Sequence, residues 1–102
     1  MAIENQSPGH AFTTKDAELA ERRAAEARER AAQAGLSAAR SIERSALQHE
    51  RVARVQDRTI EQGASHEDLH REWAAKHRDA AVDDHKLAEL KRKESEADLA
   101  VD

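Results

Sequence analysis

The sequence predicts an all-α protein in which two long helices form an antiparallel hairpin or coiled coil. Ala, Glu, Lys, Leu and Arg make up 59 of the 102 residues, with three Gly and one Pro, a composition typical of long helices. A seven-residue repeat runs through the first half of the chain, as a coiled coil requires. The two halves carry net charges of opposite sign, which favours their packing against each other.

The same composition argues against several functional classes. A net charge of −4 and a pI near 5.9 argue against a nucleic-acid partner. No apolar run is long enough to span a membrane or to form a signal-peptide core. The absence of Cys excludes disulfides and thiolate metal sites. We therefore expect a cytoplasmic, non-enzymatic protein without a membrane partner.

The chain divides into a tail and one helical domain. Pro8 and Gly9 break any helix near the N-terminus, so residues 1–13 are predicted to be a disordered tail. A hydroxyl at Thr13 or Thr14, with Asp16 in the first turn, then predicts a capped helix start. Residues 14–100 are predicted to form a single helical domain.

Six blocks of seven residues follow one another from Ala17 to Arg58, and Arg closes five of them. Small residues open the blocks, and we predict that these opening residues form the seam between helices: Ala17, Ala24, Ala31, Ala38, Ser45 and Val52. An alanine seam buries little apolar area, so it stabilises a hairpin less than a leucine seam would. This weakness favours self-association or binding to another helical protein.

Gly35 leaves an alternative open, because glycine costs about 1 kcal/mol in a helix interior and its block carries no charge. A break there would make a three-helix bundle. The heptad phase continues unbroken from Ala24 to Ala38, which favours a continuous but weakened helix.

A turn is predicted near residues 62–65. Gly63 is typical of a residue that ends a helix, and Ser65 with Asp68 resembles a capping box. A second helix is then predicted from about His66 to the late nineties. Residues 21–60 carry nine Arg and six acids, whereas residues 61–102 carry seven bases and twelve acids, which favours an antiparallel arrangement.

A single rod in a parallel dimer is the alternative, because Trp73, Ala80 and Leu87 stay in heptad phase with Val52. In either arrangement one face of the second helix is predicted to pack, and Trp73 is its largest residue or an anchor for a partner. The predicted interaction residues are Leu69, Trp73, Ala80, Leu87 and Leu90, with Val52 and Ile60 on the first helix.

The segment His66-Glu67-Asp68-Leu69-His70 matches H-E-x-x-H and so resembles the zinc site of metallopeptidases. The variant with a third histidine requires a glycine where this chain has Trp73 and a histidine where it has Lys76. No candidate strand for binding a peptide follows either. We therefore predict that the chain is not a peptidase, and that no cofactor is needed.

Histidine-based zinc binding is the second functional hypothesis. His66 and His70 lie one helical turn apart, and folding about the turn would bring His49 near His77. A third hypothesis is a secreted helical-hairpin effector, because length and predicted shape are similar to those of the W-x-G proteins of actinobacterial secretion systems. The turn at residues 62–65 contains no W-x-G.

Overall fold

The computed structural model describes residues 12–100, which form two helices and a short turn. Helix α1 spans Thr14–Glu61 and helix α2 spans Glu67–Leu99. The two helices pack along each other as a hairpin, and no strand is found among the described residues. The predicted all-α antiparallel hairpin is confirmed. The parallel rod is wrong, because α2 folds back on α1. Neither described helix is long and apolar enough to cross a bilayer.

Helix α1 begins at a capping box. The backbone N–H of Asp16 donates to Thr13 Oγ1 at 3.1 Å, and the backbone N–H of Thr13 donates to Asp16 Oδ2 at 2.9 Å. Two backbone donors that lack helical partners are thereby satisfied, as the hydroxyl and the acid predict. Of the predicted disordered tail, residues 1–11 lie outside the described residues.

The turn begins with a Schellman motif. The N–H of Gly63 donates to the carbonyl of Ile60 at 3.0 Å, and the N–H of Ala64 donates to that of Thr59 at 3.2 Å. Gly63 has φ of 79°, a left-handed conformation that glycine adopts without steric cost. Gly63 therefore closes α1, as its position in the sequence predicts.

The predicted capping of α2 by Ser65 is wrong. His66 is the N-cap residue, with φ of 64° and ψ of 43°, and no side chain caps this helix end. The first turn of α2 instead carries two acids, Glu67 and Asp68, which interact favourably with the positive end of the helix dipole. A left-handed histidine costs about 1–2 kcal/mol, so the turn conformation is maintained by the packing of the two helices.

The buried seam lies one residue after the predicted one. Among the described residues, the buried positions are Ala32, Ala39, Ala46 and Ala53 on α1 and Ala74, Ala81, Ala88 and Ser95 on α2. They are the second residues of the heptad blocks on α1, whereas Ala38 and Val52 are only half-buried and Ala31 and Ser45 are exposed. The correction is a rotation of about 100° around the helix axis.

Gly35 marks a close approach of the two helices and not a break, so the three-helix variant is wrong. A Cβ added to Gly35 would lie 2.0 Å from Ser95 Oγ and 3.3 Å from Ser95 Cβ. Ser95 is itself 4% exposed. The missing side chain of Gly35 therefore makes room for the end of α2 against an uninterrupted α1.

The large apolar residues of α2 do not form its packed face, so that prediction is wrong. Trp73 is 46% exposed, and Leu69, Leu87 and Leu90 are also exposed, whereas Ala80 is half-buried. Helices in contact through alanine lie near the short end of the usual 8–10 Å range of separations. No room for an indole ring remains in such a seam, and Trp73 stays at its edge.

Candidate functional site

The alanine seam divides the hairpin into two sides with different chemistry. On each helix, the residues four positions after a buried one lie on one side of the seam, and the residues three positions after it lie on the other. We call the first the ion-pair side and the second the apolar side. The apolar side also includes the residues that directly precede each buried residue.

On the ion-pair side, acids of α1 face bases of α2 at heptad spacing. The guanidinium of Arg78 donates to Asp57. The ring of His85 lies between two acids, with Nδ1 2.6 Å from Glu43 Oε1 and Nε2 3.2 Å from Glu50 Oε2. The hydrogen bond to Glu50 raises the pKa of His85 above its ordinary value of 6.5. The charges of both acids act in the same direction, and desolvation opposes them.

The apolar side of α1 carries no formal charge over its central four heptads. Its residues from Ala31 to Thr59 are Ala31, Gly35, Ala38, Ile42, Ser45, His49, Val52, Gln56 and Thr59. Charged residues make up 37% of the chain, so a row this long without a charged residue is unusual. Helix α2 contributes Trp73, Ala80 and Leu87 to this side. Its charged residues on this side, over positions 70–91, are Asp84 and Lys91.

Two histidines from opposite helices meet on the apolar side. The Nδ1 atoms of His49 and His77 lie 2.8 Å apart, and the two rings are inclined at 34° with centroids 5.1 Å apart. A hydrogen bond of this length requires one Nδ1–H to donate to the other Nδ1. Folding about the turn thus brings His49 against His77, which lie 28 residues apart in the chain.

A carboxylate lies behind this pair. Asp84 Oδ2 is 3.8 Å from His49 Nε2, the ring nitrogen that faces away from His77. The hydroxyl of Ser45 donates to the same carboxylate oxygen at 2.8 Å. One hydrogen bond therefore fixes an anion next to the outer nitrogen of His49.

One heptad nearer the turn, His70 makes a different contact. Its Nδ1 lies 2.5 Å from Gln56 Oε1, and its ring is perpendicular to the indole of Trp73 with centroids 6.3 Å apart. Because the amide oxygen only accepts hydrogen bonds, the proton of His70 lies on Nδ1. His70 is thus hydrogen-bonded to α1, and Trp73 lies beside it.

The first histidine of the H-E-x-x-H segment lies outside helix α2. His66 precedes α2 and has a left-handed backbone, so its Cα–Cβ bond does not follow the helical track that aligns residues four apart. Among residues 12–100, no group of three or more His, Cys, Asp or Glu side chains is arranged to hold a metal ion. Within that part of the chain, the segment therefore has no third ligand placed beside it.

Several contacts of these two sides were missed by reasoning from the sequence. The signal was the repeat itself: Glu43, Glu50 and Asp57 recur every seven residues, as do Arg78, His85 and Arg92. Once the buried alanines define the phase, these two series face each other.

Comparisons with protein-family models, with curated proteins and with solved structures returned no match for this chain.

Proposed function

We propose that this protein is a non-enzymatic structural adaptor that acts by self-association, with two hairpins packed through their apolar sides into a four-helix bundle. One observation carries this proposal. The buried core of the described hairpin consists of seven alanines and one serine, while most of its larger apolar side chains remain exposed. Burying one alanine methyl contributes about 0.8 kcal/mol, against about 1.5–3 kcal/mol for Leu, Val or Phe. A hairpin of this kind gains more from association than from its own core.

The charge distribution supports the apolar side as the interface. The charged residues of α1 between Ala31 and Thr59 lie outside the row that this side presents. Trp73 and Leu87 lie along its edge and are 46% exposed each, and aromatic residues of this kind are common anchors of interfaces.

A second copy fits this side better than a charged partner does. In a two-fold dimer each surface faces its own copy, so any concentration of like charge would be repelled. The apolar side of α1 carries no formal charge to be repelled. Nucleic acid, by contrast, would require a row of Lys and Arg that this side lacks.

The available area agrees with a stable dimer. The row from Ala31 to Thr59 is about 42 Å long at 1.5 Å per residue. Two adjacent helices about 8 Å apart present a face roughly 18 Å wide, which gives roughly 750 Å² per copy. Stable interfaces bury about 800 Å² per partner.

The test is the molar mass of the full chain by sedimentation equilibrium over a range of concentrations. We expect a dimer for the unaltered chain. Leu87→Glu should weaken the dimer by roughly 100-fold, because the charge would be buried in both copies. The matched control is Val82→Glu, which introduces the same charge on the other side of α2 at a residue that is 50% exposed, and it should leave the mass unchanged.

Trp73 provides an independent readout. Its emission should shift to the blue as the concentration increases, because the indole is half-exposed in one hairpin and covered in the dimer. A helical monomer at all concentrations would contradict self-association and favour a different helical partner. Equal weakening by Leu87→Glu and Val82→Glu would contradict the assignment of the interface to the apolar side.

A further inference from the structure

We propose that His49 and His77 form a cross-helix binding site for a divalent transition-metal ion that prefers ligands at about 90°, such as Cu²⁺ or Ni²⁺. Both imidazoles come from one chain, so the site is complete in a single hairpin, and it lies on the apolar side that the proposed dimer covers. The distance between the facing nitrogens carries the proposal, and the carboxylate behind His49 supports it.

The nitrogen–nitrogen distance selects the class of metal. With metal–imidazole bonds of about 2.0–2.1 Å, two nitrogens 2.8 Å apart subtend an angle of about 86° at the ion. A tetrahedral Zn²⁺ would require the nitrogens to lie about 3.3 Å apart. Square-planar and tetragonal sites with nitrogen ligands are typical of Cu²⁺ and Ni²⁺, and the observed separation of the nitrogens suits them. The rings meet head-on, with centroids 5.1 Å apart, so each ring must turn by roughly 45° to direct its lone pair at a shared ion.

The protonation of the pair also suits a metal ion. The negative charge of Asp84, 3.8 Å from the outer nitrogen of His49, favours the proton at Nε2. The Nδ1 of His49 then has a free lone pair, which accepts the hydrogen bond from Nδ1–H of His77. When the ion replaces that hydrogen bond, only His77 has to move its proton from Nδ1 to Nε2, and the number of bound protons is unchanged.

The scaffold around the pair is fixed. His49 lies between Ala46 and Ala53, and His77 lies between Ala74 and Ala81, all four of which are at most 2% exposed. The backbones that carry both rings are therefore held by packing, which preorganises the site. The His49 side chain is 33% exposed in a single hairpin, so the ion can enter from solvent before two apolar sides associate, and water can complete its coordination.

The experiment is a calorimetric titration of the full chain with Ni²⁺ near pH 7.5. We expect one ion per chain, with binding weakened at least 10-fold by His49→Gln and by His77→Gln. Asp84→Asn should weaken binding by about 10-fold, as is usual for the carboxylate behind a ligating histidine. The control is His66→Gln combined with His70→Gln, which removes one imidazole more than either single variant and should still bind as the unaltered chain does.

A second measurement does not depend on any variant remaining folded. Substoichiometric Cu²⁺ should broaden the amide NMR signals around residues 49 and 77 of the unaltered chain before those around residues 66 and 70. The Leu87→Glu variant keeps the apolar side uncovered and should bind Ni²⁺ at least as tightly as the unaltered chain, which separates this proposal from self-association. Loss of binding in the His66/His70 variant, or retention in both His49→Gln and His77→Gln, would overturn the proposal.

Discussion

The two sides of the hairpin share a seven-residue spacing but differ in the charge of the residues that α1 presents. On the ion-pair side, Asp57 meets Arg78 and Glu50 meets His85, so the charged groups of α1 find partners on α2. On the apolar side, α1 presents no formal charge between Ala31 and Thr59, and Trp73 remains half-exposed. Charged groups of α1 are thus paired on one side, whereas on the other side only uncharged groups of α1 bond to α2.

This difference separates the contacts that orient α2 against α1 from the surface that remains available for a second molecule. Exposed ion pairs contribute only about 0.2–1 kcal/mol each, so the ion-pair side adds little stability. Its opposite charges do favour one antiparallel register over others. The seam of small residues supplies the close approach, and the apolar side remains available for a second molecule.

The largest expected effect comes from a large side chain in the seam, which would push α1 and α2 apart and disrupt the contacts on both sides. Ala46 is fully buried, so Ala46→Leu inserts a side chain where no space exists and should destabilise the fold by about 3 kcal/mol. Chemical denaturation followed by circular dichroism measures this change. Ala34→Leu makes the same substitution at an exposed position of α1 and should change stability by less than about 0.5 kcal/mol. Equal stability of the two variants would mean that alanine does not set the helix separation.

A smaller effect is expected at the far end of the apolar side, where Gly35 faces Ser95. Alanine at position 35 gains about 1 kcal/mol of helix propensity, but its Cβ would overlap Ser95 Oγ. Gly35→Ala should therefore stabilise the protein by about 1 kcal/mol more in a Ser95→Ala background than alone. A double-mutant cycle measured by thermal denaturation gives this coupling. Additive effects would show that the two residues are not in contact.

The turn that holds the two sides in register should respond more weakly. His66 has a left-handed backbone, so His66→Gly removes steric strain and should stabilise the hairpin by about 0.5–1 kcal/mol, partly offset by the larger entropy of the unfolded chain. The melting temperature is the measurement. Ser65→Gly is the adjacent control and should not stabilise. A lower melting temperature for His66→Gly would contradict the left-handed assignment.

The smallest effect concerns the pH dependence of the ion-pair side. Because the folded-state pKa of His85 is raised above 6.5, its contribution to stability is fully present below about pH 6.5 and is lost as pH rises through the folded pKa. The His85 ring signals in an NMR titration should give a pKa above 6.5.

Glu50→Gln removes the largest cause of this shift and should lower the measured pKa of His85. The control is Glu61→Gln, at an exposed residue at the end of α1, which should leave that pKa unchanged. An unperturbed pKa of His85 in the unaltered chain would contradict the contacts with Glu43 and Glu50.

Much of the candidate site could be anticipated, but its details depended on the phase of the repeat. Fold-back about the turn was enough to place His49 near His77. The participation of Asp84 and Ser45 could not be inferred, because it depends on which residue of each heptad faces α2. Trp73 and Leu87 also biased the prediction, since large apolar residues normally lie in a core, and here the seam is too narrow to hold them.

The amino-acid sequence by itself determined the helical class, a hydroxyl cap at Thr13 or Thr14 and the close of α1 at Gly63, because these follow from local backbone preferences. Charge favoured the antiparallel hairpin, but the sequence left the parallel rod and the three-helix bundle open. Only the tertiary structure decided which of the first two residues of each heptad block from Ala31 onward is buried. Ala31 and Ala32 are chemically identical, and a period of seven is the same for both. The choice between them is made by close packing of α1 against α2, in which Ser95 fits over Gly35 and the acids of α1 meet the bases of α2.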